Sequence, residues 1–486
     1  MVGDPREQPV VRFSPCQCHL LSFEGPDGYA RAGGIASRIT GLANALAQRG
    51  FDTHLWFVGD PDLPGEESRG RLTLHRWCQW ISRYHPAGVY DGEWGKVNDY
   101  AASLPPYLVS MVLTRHLLAL NARAVVLAEE WHTAPAVLHL HDLLRRAGIR
   151  ERVSIFWNAN NTFGLEHIDW ARLGRAATIT TVSRYMRYRM WSHGVDPLVI
   201  PNGLSPEAYG PSDPRTLEAF RDHTTDRVVL AKVARWDPDK RWLLAMDIVR
   251  LLKERGARPL LLARGGVEAH GADVLRHAAR LGLRITERVL EPDRADSVLG
   301  AVQDTSEWDV VNLRSTLGPT ARRVVFEGAS AVLANSGHEP FGLVGLEAMA
   351  AGGIACTGGT GEDYVVPGWN SLVVQTGNPW EFVDQYLTLQ YQPQMERALR
   401  KRGRWTAQRY AWGAVVERHF LRHAPVLPSR GSAEDQPDGS WRRRVPSRQP
   451  QPGGSDVRCT FCGGSHDRST HRPASGTTES GSPQPS

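Results

Sequence analysis

The chain has 486 residues and, at roughly 100–200 residues per domain, room for two or three domains. Its apolar share of 41% and charged share of 22% are those of an ordinary soluble globular protein. The net charge of +5 is small for this length and gives no reason to expect nucleic acid as a partner. Arginine supplies nearly all the positive charge, since the lysines are Lys96, Lys232, Lys240, Lys253 and Lys401 alone. No run of about 18 apolar residues predicts a membrane span. The opening stretch carries Asp4, Arg6 and Glu7 with no apolar core behind them, so no signal peptide is expected. Cys16, Cys18, Cys78, Cys356, Cys459 and Cys462 are too scattered for a disulfide scaffold. A cytoplasmic location is expected.

Short β-branched runs predict strands over 19–23, 53–58, 124–128, 153–157, 177–182 and 198–201. Helical patterns fall between them at 34–49, 134–147 and 184–193. The apolar stretch 107–120, interrupted by Arg115 and His116, reads as a buried helix rather than a span. A second series has strands over 228–234, 259–263, 309–313, 331–335 and 353–357, with helices over 242–254, 272–281, 319–327 and 342–351. Strands alternating with helices imply α/β architecture with parallel sheets covered on both faces. The Pro-, Gly- and Ser-rich stretch Ser205 to Pro214 marks the boundary, giving domains 1–203 and 204–378. Helical segments over 379–424 follow. From 425 to 486, Pro, Gly, Ser and Arg dominate, a composition that cannot bury enough apolar surface to offset ordering, and the segment is expected to be disordered.

The most informative stretch is Ser336-Gly-His-Glu-Pro-Phe-Gly-Leu-Val-Gly-Leu-Glu-Ala-Met-Ala350, which follows the strand over 331–335. A turn leads into a helix near Gly342. The free N–H groups of Leu343, Val344 and their neighbours, with the positive end of the helix dipole, suit a phosphate. Glu347, on the helix, can accept hydrogen bonds from vicinal hydroxyls. Glu339 precedes the helix, where a sugar beyond the phosphates would lie. This string resembles the paired-glutamate signature of retaining glycosyltransferases of the GT-B fold, especially glycosyltransferase family four and the glycogen and starch synthases.

That resemblance implies two Rossmann-like domains facing a cleft, with a C-terminal crossover helix. It implies a retaining hexosyl transfer from a nucleotide-diphosphate sugar donor to a saccharide or small-molecule acceptor, with no cofactor required. In Val233-Ala-Arg-Trp-Asp-Pro-Asp-Lys-Arg241 it assigns Arg235 and Lys240 to the donor diphosphate, and with Glu339 they form the expected catalytic set. It assigns Gly33 and Gly34, in Arg31-Ala-Gly-Gly-Ile-Ala-Ser37, to a glycine loop that meets the donor from the first domain. Gly342, Leu343, Val344 and Glu347 complete the donor side. Glu362 and Asp363 are expected near the cleft.

Ser154-Ile-Phe-Trp-Asn-Ala-Asn-Asn161 departs from the glycogen synthases, in which a histidine occupies the Trp157 position. Asn158, Asn160 and Asn161 are expected to meet sugar hydroxyls, and Trp157 a sugar face. Glu129, Glu130 and His132, at another strand end, are acceptor-side candidates, because ligands of open α/β folds bind at the C-terminal ends of strands. Glucan elongation of the glycogen and starch synthase kind, and a non-catalytic sugar-binding protein, stay open as alternatives. In the tail, Cys459, Cys462, His466 and His471 have the form C-x2-C-x3-H-x4-H, which can complete a tetrahedral zinc shell of structural kind.

Overall fold

A computed structural model describes residues 16–119, 122–292 and 294–423. Residues 16–199 build an eight-stranded sheet from β1 (Cys16–Leu21), β2 (Asp52–Val58), β3 (Glu66–Arg69), β4 (Leu72–Trp77), β5 (Arg123–Glu129), β6 (Val153–Ala159), β7 (Thr178–Thr181) and β8 (Leu198–Val199), in the order β3-β4-β2-β1-β5-β6-β7-β8. Its pairs are parallel except β3 with β4. Residues 228–373 build a seven-stranded parallel sheet from β9 (Val228–Val233), β10 (Pro259–Arg264), β11 (Ile285–Arg288), β12 (Val310–Leu313), β13 (Ala331–Ala334), β14 (Ala355–Thr357) and β15 (Leu372–Val373), in the order β11-β12-β10-β9-β13-β14-β15.

The strands read as near-continuous apolar runs because helices cover both faces of each sheet. β5 is buried from Ala124 to Glu129 and β9 from Val228 to Lys232. In each sheet the winding reverses beside the first strand, between β1 and β5 and between β9 and β13, and such switch points open crevices at the carboxyl ends of the strands. The expected pair of Rossmann-like domains of the GT-B kind is therefore present.

β3, β4, β11 and β15 were not singled out by the apolar runs. They are short or carry polar residues on one face, as in Leu-Thr-Leu-His-Arg-Trp of β4. The expected helix from residue 107 onward continues the helix Glu93–Tyr107 through a π-helical segment, Leu108–Leu113, to a short helix, Thr114–Ala119.

The segment expected to return to the first domain does so late. The helices Trp380–Gln390 and Pro393–Gln408 stay on the second domain, where Phe382, Tyr386 and Leu399 enter its core. Arg400 and Arg404 bind them there through the carbonyls of Glu327, Ala329, Ala351 and Gly352, which terminate neighbouring helices. The return begins at Tyr410, beside the outward crossing: the Leu204 N–H donates to Tyr410 O at 2.7 Å and the Trp412 N–H to Leu204 O at 3.1 Å. Trp412, Val415, Val416 and Phe420 then join Ile39, Leu42 and Phe156 in the core of the first domain. Gly41 makes the approach possible, since a Cβ there would stand 2.1 Å from Trp412 Nε1. No helix among the described residues is long and apolar enough to cross a membrane.

Candidate active site in the cleft

On the second domain, three loops leave the carboxyl ends of adjacent strands β9, β13 and β14 and clamp one another. The Gly337 N–H donates to Asp239 O at 2.7 Å and the His338 N–H to Asp239 Oδ1 at 3.0 Å. The Glu339 N–H donates to Thr360 Oγ1 at 2.8 Å. The clamp brings Lys240 and Glu339, 99 positions apart, to a 2.7 Å ion pair, with side chains 19% and 20% exposed. Arg235 lies at the end of the same strand β9, exposed and with no ion pair among the described residues.

Gly342 starts the helix Leu343–Ala351 at φ 77°. Both its left-handed backbone and the Glu362 side chain, 2.6 Å from where a Cβ would stand, restrict the position to glycine. The Tyr364 hydroxyl fixes the turn by donating to the Gly342 carbonyl. The first-turn N–H groups of Leu343 and Val344 have no partner among the described residues. Below this turn Glu362 is buried, its Oε2 accepting from Thr360 N–H and its Oε1 without a partner. Burial, reinforced by nearby Glu339, pushes its carboxyl up to about 7. The next residue, Asp363, reaches across the cleft to accept from the Arg184 backbone N–H at 2.7 Å and side-chain Nε at 3.1 Å.

Glu347 faces a cavity of about 310 Å³ between the helix Gly34–Gln48 and the helices Pro319–Gly328 and Leu343–Ala351. Arg31, Arg38, Arg322 and Arg323 also line it, and Arg322 Nη1 lies 3.3 Å from Glu347 Oε2. Burial raises the Glu347 carboxyl while Arg322 opposes the rise.

On the first domain several expected ligand groups are already engaged. Glu24 Oε2 accepts from the N–H groups of Gly33 and Ala36, both at 3.0 Å, so a carboxylate stands where the glycine loop was expected to offer its Gly33 N–H to a phosphate. Gly34 is exposed, with nothing within 4 Å of a Cβ built on it. Glu129 forms a buried pair with Arg38 at 3.1 Å and accepts from Asn158 at 2.9 Å and Asn160 at 2.7 Å. Arg38 continues the chain to Asn202 at the interdomain crossing, at 2.5 Å. Asn158 also accepts from the Thr180 hydroxyl, which leaves neither Glu129 nor Asn158 free for a sugar. Asn161 Oδ1 caps the N–H of Phe163. Trp157 is fully buried, its ring edge-on to Trp170 and its Nε1–H on the Glu130 carbonyl at 3.0 Å, so it presents no face to the cleft. A polar strand end looks the same in sequence whether it faces a ligand or a neighbouring strand, so the partners of these residues appear only in the structure.

Glu130 and His132 remain. Glu130 has φ 67° and ψ 165°, a backbone region almost reserved for glycine, and such strain concentrates at functional sites. Its Oε1 accepts from Asn160 N–H at 2.6 Å, and burial pushes its carboxyl up to about 8, with Glu129 and Glu24 adding to the rise. His132 pairs with Glu93 at 2.7 Å and stacks between Phe23 and Trp131 at centroid distances of 4.4 and 4.1 Å. Burial lowers its imidazole and the Glu93 contact opposes this.

Sequence reasoning passed over Glu24, Arg322, the Arg38–Glu129 pair and Lys232. Lys232 sits in β9 with Nζ 3.0 Å from Leu333 O and 2.9 Å from Asn335 Oδ1, and burial pushes its ammonium down to about 7. A lysine inside an apolar strand, in a chain with so few, was the available signal. Cys459, Cys462, His466 and His471 lie outside the described residues.

The family model Glycosyltransferase Family 4 matches residues 32–208. A D-inositol 3-phosphate glycosyltransferase from Corynebacterium urealyticum is 30% identical over 120 residues, which is 24% of this chain and 28% of that protein's length. Among solved structures, sucrose-phosphate synthase from Thermosynechococcus elongatus matches at TM-score 0.59 and 16% identity, over 84% of this chain and 98% of its own. The catalytic domain of starch synthase IV from Arabidopsis thaliana, bound to ADP and acarbose, matches at 0.57 and 14%, over 83% and 99%. At these identities the structural likeness establishes the fold.

Proposed function

We propose, on the premise that residues 32–208 belong to Glycosyltransferase Family 4 and that the chain carries the GT-B fold, that this protein is a retaining hexosyltransferase using a nucleotide-diphosphate sugar. The observation that carries the reading is the Lys240–Glu339 pair beside the unpartnered first turn of the helix Leu343–Ala351. In the proposed complex, the N–H groups of Leu343 and Val344 receive a donor phosphate, and Lys240 and Arg235 offset charge growing on the leaving diphosphate. Glu347 takes the ribose hydroxyls and Glu339 orients the hexose. Glu130 and His132 belong to the acceptor wall. The acceptor oxygen bonds to the anomeric carbon as the sugar–phosphate bond breaks on the same face, and the departing phosphate takes the acceptor proton. No protein nucleophile is assigned, and the enzyme contributes position and charge.

No metal or cofactor is assigned to transfer, and zinc on Cys459, Cys462, His466 and His471 is a separate structural proposal for the tail. The test is a panel of UDP-, ADP- and GDP-hexoses, assayed for transfer and for donor hydrolysis, with the product anomer read by NMR. Transfer with inversion would overturn the retaining assignment. No binding or turnover of any donor would favour a non-catalytic protein.

A further inference from the structure

The surroundings of Glu347 are set by the helix Pro319–Gly328, which packs beside its own helix Leu343–Ala351. Ala321, Val324 and Val325 bury one face of Pro319–Gly328, and this register leaves Arg322 and Arg323 on the wall of the cavity that Glu347 faces. Arg322 Nη1 lies 3.3 Å from Glu347 Oε2, with the side chains 33% and 19% exposed. Neither side chain makes a hydrogen bond among the described residues, so the carboxylate lone pairs and the guanidinium N–H groups both stay open to a ligand. The other charged residues on the cavity are engaged elsewhere or exposed. Arg38 is bonded to Glu129 and Asn202, Arg323 to the Glu207 carbonyl and Arg31 to the Pro26 carbonyl. Glu207 itself is exposed. Among the described residues, Arg322 is the cation of this cavity that is left to Glu347.

An ion pair this exposed contributes little to folding. Its consequence is for the ligand. A ribose presents two vicinal hydroxyls as donors, and a carboxylate can accept from both. A protonated carboxyl turns one of its oxygens into a donor and meets the diol poorly. We propose that Arg322 is the positioning residue of the nucleotide subsite, holding the Glu347 carboxylate in place as the receptor of both ribose hydroxyls. The inference rests on the transferase reading for the identity of the group that Glu347 meets. Burial favours the neutral acid at Glu347, and the guanidinium opposes it. Without the guanidinium, burial acts unopposed. The nucleotide must then displace a proton from Glu347 before the diol is bound, a cost that disappears as pH rises. A lysine at this position keeps the charge and avoids that cost.

The test is calorimetric titration of the full-length protein with whichever of UDP-, ADP- and GDP-glucose binds it, and with the 2′-deoxy form of that nucleotide sugar, on both sides of neutral pH. Glu362 and Lys232 also titrate at about 7, so each variant is compared with the parent protein at the same pH, where their shares cancel. Arg322→Gln and Arg322→Met are expected to weaken binding at least about tenfold on the acid side, with the gap narrowing several-fold on the alkaline side. Arg322→Lys is expected to stay close to the parent at both. The parent should prefer the ribonucleotide at both pH values, and the two charge-removing variants should lose that preference on the acid side. Binding by a folded charge-removing variant within about threefold of the parent on the acid side, a gap of equal size at both pH values, or an untouched ribose preference overturns the proposal. Failure of both charge-removing variants to fold makes Arg322 a structural residue and overturns it as well. Donor binding by the parent without these effects defeats this inference alone, whereas no donor binding defeats the reading beneath it.

Discussion

Replacing Lys240 by alanine tests the donor-diphosphate assignment most directly. The ammonium sits 2.7 Å from Glu339 with about a fifth of each side chain exposed, so solvent already screens part of the pair. Partly exposed ion pairs contribute on the order of 1 kcal/mol or less to folding, and the melting temperature is expected to fall by only a few degrees. Catalysis is different, because charge appears on the leaving diphosphate at the moment of reaction. Removing one preorganised charge-stabilising contact costs about a hundredfold to a thousandfold in turnover, or about 2.7–4 kcal/mol of barrier. Loss of Lys240 also leaves Glu339 without its cation, which adds repulsion toward the diphosphate. The assay is steady-state transfer at saturating donor and acceptor, with circular dichroism on the same sample. Turnover within threefold of the parent protein, in a folded Lys240→Ala variant, would refute the assignment.

The two glutamates are expected to fail differently. Glu347→Gln should chiefly raise the donor KM, since a ribose contact is alike in ground and transition states, whereas Glu339→Gln should chiefly lower kcat; the reverse pattern would mean that the donor lies the other way round. Glu130 makes stability pH-dependent: its folded carboxyl titrates at about 8 against 4.5 for the free group, so the unfolded chain releases the proton first and stability falls as pH rises between those values. Glu130→Gln keeps the Asn160 contact and removes this loss, so its gain in melting temperature over the parent should be larger at pH 8 than at pH 5. Arg38→Ala strands the buried Glu129 carboxylate and should destabilise by about 3–5 kcal/mol in urea titrations; a change below about 1 kcal/mol would refute the view that this buried pair matters to folding.

Periodicity and one motif determined a great deal here. Alternating apolar and amphipathic runs settled the α/β class, because a parallel sheet must be covered on both faces. The string from Ser336 to Ala350 located a turn and a helix start, because glycine at 342 and glutamate at 339 and 347 are local features with local causes. Tertiary structure decided which polar groups are free. Glu129 and Glu130 are neighbours in sequence, yet Arg38, 91 positions away, neutralises the first, while the backbone at φ 67° places the second in another environment. Gly33 reads as a phosphate cradle until Glu24 is seen to occupy its N–H. Lys240 meets Glu339, and Arg322 meets Glu347, because separate loops and helices converge at the cleft. A side chain's availability depends on partners brought close by the fold, and no pattern confined to neighbouring residues contains that information.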